Sequence, residues 1–113
     1  MTTDLTALAR RVVASKHWRW MLGMQAVSPD GLFGHRVTEH TLVIDPDAIP
    51  DLEDPATRGC LLALLREALG YPEAHAYYAS MSEWWVVRLG SSGRTVCAPT
   101  EVEALVAAWE AVP

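Results

Sequence analysis

The sequence predicts an α+β fold in the order α-βββ-α-βββ-α, with antiparallel meander sheets packed against helices. Three observations predict it. Apolar residues recur at helical spacing in three capped segments, they alternate with a period of two in the stretches between, and short turns rich in Pro, Gly and Ser divide those stretches. The chain has 113 residues, half of them apolar and five of them Trp, which fits a single α+β domain over residues 1–113 with its own core.

The first helix is expected from Asp4 to Ser15, with Thr3 or Asp4 as its cap. Leu5, Leu8, Val12 and Val13 share one face, and Arg10 and Arg11 stand toward the end. From Trp18 the period changes to two, so Trp18, Trp20, Leu22, Met24 and Ala26 lie on one face of an expected strand. Ser28-Pro29-Asp30-Gly31 is a turn, because Pro sets φ at its second position and Gly accepts a positive φ at its end. Pairing Val27 with Leu32 brings Phe33, His35 and Val37 to the tryptophan face. A further turn at Glu39-His40 adds Leu42 and Ile44. On this reading the KHWRWMLGM stretch at Lys16 to Met24 supplies core, with one indole left open as the alternative.

Asp54 as N-cap, Pro55 at the first helical position and Gly70 as C-terminal stop frame the second helix, with Leu61, Leu62, Leu64, Leu65 and Leu69 as its apolar arc. A second meander follows over Ala74 to Ala79, Glu83 to Leu89 and Arg94 to Ala98. Even-length turns put Trp85, Val87 and Leu89 with Ala76, Tyr78 and Val96 on an inward face. Trp84, Val86 and Arg88 fall with His75, Tyr77, Thr95 and Cys97 on the other. The last helix begins at Thr100, which with Glu103 forms a T-x-x-E capping box, and Val102, Leu105, Val106 and Trp109 form its inward stripe. Each meander runs into a helix, so a duplicated βββα unit is an open alternative.

Little in the composition speaks for chemistry. Nine Lys and Arg stand against fourteen Asp and Glu, a net charge of -5, which argues against direct binding of nucleic acid through its phosphates. No apolar run approaches the roughly 18 residues of a membrane span, and the first 15 residues lack the basic-then-apolar order of a secretory signal, so a cytoplasmic protein without membrane contact is expected. Cys60 and Cys97 are isolated and the four His are scattered, which leaves no zinc spacing and suggests two buried free thiols. The loop Arg88-Leu89-Gly90-Ser91-Ser92-Gly93-Arg94 runs into a strand rather than a helix, so it reads as a hairpin and not as a phosphate cradle. Glu73 with His75, or Glu39 with His40, has the residue types for proton transfer but no accompanying nucleophile motif. The expectation is a protein that is not an enzyme, without catalytic residues, cofactor or metal.

Three segments, WRWMLGM at Trp18 to Met24, PDLEDPATRGCLLALLREALG at Pro50 to Gly70 and EVEALVAAWEAVP at Glu101 to Pro113, resemble a group of small proteins encoded by bacteriophages and prophages of GC-rich bacteria. These segments span both ends and the middle and make up a little over a third of the chain. Leu69 stands where the group's helix carries Trp. The resemblance labels the family more than its function; taken with the small size, the acidic charge and the absence of a catalytic motif, it leads to the expectation of a small phage accessory protein acting by binding, most naturally as an anti-CRISPR-like inhibitor of a host defence complex in the host cytoplasm. Two surfaces are candidates for the host protein, itself a component of a nucleic-acid-binding complex. One is the mixed face with Trp84, Tyr77, Arg88 and His75, which equally suits a homodimer interface or the underside of a covering helix. The other is the acidic stretch of Asp45, Asp47, Asp51 and Glu53, which otherwise serves the start of the second helix. The alternative class is a small-ligand or nucleotide-binding module, or a small enzyme, holding phosphate with Arg88 or Arg94.

Overall fold

The computed structural model describes residues 4–41 and 43–113. Among them are three helices and two three-stranded antiparallel sheets in the expected α-βββ-α-βββ-α order. The chain groups into two compact units, 1–60 and 61–113, and the division falls within the second helix.

In the first unit, α1 (Leu5–Val13) starts at Asp4, whose carboxylate accepts the Ala7 N–H at 3.1 Å, and it buries Leu8, Ala9 and Val12. The first sheet contains β1 (Gln25–Val27), β2 (Gly34–Arg36) and β3 (Ile49–Pro50) in the spatial order β2-β1-β3. The expected strand from Trp18 does not form. Met24 N–H bonds back to the Met21 carbonyl (3.2 Å) with Gly23 at φ +95°, so the chain turns at Leu22-Gly23. Val37 then faces both Gly23 and Met24, accepting from the Gly23 N–H and donating to the Met24 carbonyl, each at 2.8 Å. That is a glycine bulge, and it restarts the alternation.

Met24 and Val37 are therefore buried while Leu22 is 65% exposed; Trp18 and Trp20 are half-buried, packed edge to face at 5.2 Å. Phe33, expected inward, is 75% exposed in the β1–β2 loop. The cause is a register two residues wider than expected, with Val27 opposite Gly34. A Ser28 hydroxyl that accepts the Phe33 N–H (3.1 Å) and an Asp30 carboxylate that accepts the Leu32 N–H (3.0 Å) hold this loop. Leu42 lies outside the described residues, and Ile44 is half-buried in irregular chain. The third strand is instead Ile49-Pro50, on the far side of β1, so this sheet is not a meander.

Helix α2 (Pro55–Leu69) ends as its glycine predicts. Gly70 has φ +63°, its N–H bonds to the Glu67 carbonyl and the Tyr71 N–H to that of Arg66, the paired closure of a Schellman stop. Leu61, Leu64 and Leu65 are buried, and Leu62 and Leu69 half-buried.

In the second unit, β4 (Ala76–Ala79), β5 (Trp84–Arg88) and β6 (Thr95–Ala98) form a true meander. It pairs Ala76 with Val87, Tyr78 with Trp85, and Val87 with Val96, as the even-length turns require. The strands are one or two residues shorter at their ends than expected. Helix α3 (Glu101–Glu110) starts at Thr100, whose hydroxyl accepts the Glu103 N–H at 3.2 Å, and it lies against all three strands. The whole expected stripe of Val102, Leu105, Val106 and Trp109 is buried, together with Val87 and Ala98 of the sheet. Because the two sheets differ in strand order, the βββα segments do not repeat one topology.

Candidate contact face

Strand alternation in the second unit leaves one face of the sheet to α3 and aims the other away from it. On the outer face the register sets three rows across β4, β5 and β6: Ala79 and Trp84 with Pro99 beyond the strand end, then Tyr77, Val86 and Cys97, then Arg88 and Thr95 with His75 one residue before β4. At about 4.8 Å between strands and 6.7 Å between successive outward residues, the rows span roughly 10 by 13 Å. Trp84 is 44% and Tyr77 38% exposed, and His75, Arg88, Thr95 and Cys97 are exposed as well. The His75 and Tyr77 rings lie 5.6 Å apart, and His75 Nδ1 is within 2.8 Å of the Glu73 carbonyl. Trp84, Tyr77, Arg88 and His75, singled out by sequence parity, thus share one solvent-facing surface.

The inward face is less closed than its composition suggests. Val87 is fully buried, but Trp85 is half-buried and Tyr78 is 50% exposed, the two rings meeting edge on at 5.7 Å. Cys97 is exposed and Cys60 half-buried, so the expectation of two buried thiols fails. For Cys97 the reason is its place on the outer face. Both thiols are free, and partial burial pushes that of Cys60 up from its ordinary value.

The acidic residues lie in the first unit. Asp45, Asp47 and Glu53 are exposed and Asp51 half-buried. Two of them are occupied locally, Asp45 accepting the Asp47 N–H (2.8 Å) and Asp51 the Glu53 N–H (3.1 Å). These are turns in which a carboxylate caps the backbone two residues on. Asp47 and Glu53 carry the freer charges.

Asp54 does far more than cap α2. Its carboxylate accepts from the Thr57 N–H (3.0 Å) and the Thr57 hydroxyl (2.8 Å), and it holds the Arg36 guanidinium as a bidentate pair, with Nη2 to Oδ1 at 3.1 Å. Arg36 also donates to the Gly23 carbonyl (2.8 Å), and the fully buried Thr57 hydroxyl accepts the Gln25 N–H (2.8 Å). The guanidinium and the two Thr57 donors hold the Asp54 carboxyl at about 2, well below the usual range. This network binds the start of α2 to β1, β2 and the bulge. It is structural, and only the cap was readable locally.

Elsewhere the acid–base pairs prove bare. The His40 and Glu39 side chains meet at 3.5 Å with both almost fully exposed, where nothing excludes water or positions a substrate. The segment Gly90–Gly93 is a hairpin loop closed by the Leu89 N–H on the Arg94 carbonyl (2.8 Å), as expected. Among the described residues no group of three or more His, Cys, Asp or Glu converges as a metal site, and no helix is long and apolar enough to cross a membrane.

Fold and face together define a small α+β chain with an open aromatic and cationic sheet surface. Comparison with protein-family models, curated proteins and solved structures found no match.

Proposed function

We propose that the protein works by binding another protein through the open face of its second sheet. The exposed indole of Trp84, on the central strand beside Tyr77 and Arg88, carries this reading. Trp, Tyr and Arg are the side chains enriched where truncation most weakens protein complexes. A rigid sheet presents them at low entropic cost. The resemblance to phage-encoded proteins favours a host protein as partner and an anti-CRISPR-like inhibitor as role, acting in the host cytoplasm. The charge of -5 supports the same choice, since acidic residues such as Asp47 and Glu53 complement the Arg-rich channels of nucleic-acid-binding complexes.

Co-purification of the tagged chain from a bacterium carrying such a defence system tests this proposal. Wild type should retain a defence component, and Trp84→Ala should weaken the complex by about 2 kcal/mol, roughly 30-fold, with an unchanged melting temperature. Recovery of no defence component refutes the inhibitor role. Retention indifferent to Trp84→Ala refutes the face.

A further inference from the structure

The second sheet ends in two free edges, and they differ. Leu89 N–H donates to the Arg94 carbonyl, so by antiparallel alternation Trp85 and Val87 turn their backbone groups to β6, and Trp84, Val86 and Arg88 turn theirs to β4. Across the β4–β5 register the bonded residues of β4 are Tyr77 and Ala79. The N–H and C=O groups of Ala76 and Tyr78 therefore point out of the sheet, and they have no hydrogen-bond partner among the described residues. The elements packed most closely against β4 are β5 along one edge and α3 on one face.

Exposed edges in natural sheets are commonly blunted by charge, Pro or a bulge. The β6 edge has such guards, with Arg94 immediately before it and Pro99 immediately after. Ala76-Tyr77-Tyr78-Ala79 has none, being uncharged, regularly paired and flanked by His75 and Ser80.

We propose that the β4 edge is a self-association site, on which a second copy of this chain pairs antiparallel about a two-fold axis at Tyr77. In that register Ala76 of each copy meets Tyr78 of the other, so all four outward backbone groups on each side are bonded. Face parity agrees, because residues opposite one another share a face and Tyr77 meets Tyr77 of the second copy on the outer side. No like charges meet, since His75 falls opposite Ala79 of the second copy. A contact between a segment and itself closes with two-fold symmetry and stops at two copies. The product is one six-stranded sheet whose outer faces are continuous. A four-residue edge buries less than the roughly 1,200 Å² of a stable interface, so the dimer forms weakly and with concentration. This inference is independent of the host-partner reading.

Sedimentation of the full chain tests it, the weight-average mass rising from 12.4 kDa toward twice that value as concentration approaches about 1 mM. Tyr78→Pro removes an outward N–H without touching the β5 ladder, and it should stay at monomer mass with an unchanged circular dichroism spectrum. In a Cys97→Ser background, Tyr77→Cys should give a disulfide-linked dimer on mild oxidation, because the paired residues lie within bonding reach across the axis. Monomer mass at every concentration overturns the proposal. So does a folded Tyr78→Pro that still dimerises, or a Tyr77→Cys chain that does not cross-link, the last being decisive if Tyr78→Pro fails to fold.

Discussion

Removing the Asp54 carboxylate should be among the costliest single changes outside the apolar core. In Asp54→Ala, α2 loses a side-chain cap, about 1 kcal/mol. The Thr57 hydroxyl, fully buried, loses its acceptor, a further 1–3 kcal/mol or so. The pair with Arg36 adds at most about 1 kcal/mol, because the guanidinium side chain is 45% exposed. A total of about 2–5 kcal/mol is expected against the roughly 5–15 of an ordinary domain. Asp54→Asn separates the parts, since Asn caps helices nearly as well and only the charge is lost. The sign with pH follows from a native carboxyl held at about 2 against an ordinary value of 3.8. Its contribution is complete above the unfolded value and is lost as pH falls from about 4 to 2. Urea denaturation of wild type and both variants at several pH values measures this. An Asp54→Ala cost under about 0.5 kcal/mol, or an Asp54→Asn chain with the acid dependence of wild type, would refute the network as drawn.

Trp109 is buried in full whereas Trp20 is half-buried, so Trp109→Ala should cost about 3–5 kcal/mol in thermal or urea unfolding. Trp20→Ala should cost clearly less, contrary to the core role its alternation suggests, and equal costs would contradict the turn at Gly23. Glu83, at φ +58° in the β4–β5 loop, is the non-glycine residue with positive φ among those described. Glu83→Gly relieves that strain at some entropic expense and should raise the melting temperature by an amount equivalent to about 0.5 kcal/mol, where a fall would contradict the loop conformation. Charge reversal at Asp47 and Glu53 should leave stability within about 0.5 kcal/mol while slowing partner association in a salt-dependent way. Association rates measured at two ionic strengths decide this, and rates indifferent to reversal would remove the acidic stretch from the interface.

The second unit was legible because its signals are local. Two four-residue loops preserve parity, so the face shared by Trp84, Tyr77, Arg88 and His75 follows from counting, and Thr100 announces α3 at the next residue. The first unit hides its rules in longer-range geometry. Trp18 to Met24 alternates like a strand, but Gly23 adopts a left-handed conformation and the period restarts behind it. The stretch after Glu39-His40 has strand composition, but the edge of β2 that a meander would offer it stays unpaired among the described residues, and the third strand is Ile49-Pro50 on the other side of β1. A two-residue strand containing Pro carries almost no pattern of its own. Nor does spacing reveal that Arg36 reaches Asp54, eighteen positions away. The low polarity of a thiol predicts burial for Cys97, whereas its place in the outer row exposes it.

The strand order of the first sheet has a kinetic consequence. Pairing β3 with β1 closes at Val27 and Ile49 around 21 residues, whereas each hairpin of the second sheet closes around four. Loop-closure entropy rises by about 0.6 kcal/mol per doubling, so the distant pairing carries about 1.4 kcal/mol more of that cost before any contact offsets it. The hairpins around β5 are therefore the fast events, and β3 docks late, once the β1–β2 ladder exists to receive it. During synthesis the order of appearance opposes this order of rates, because the segment made first, at about 5–20 residues per second, contains the slower sheet and has seconds to pair before the second sheet is complete.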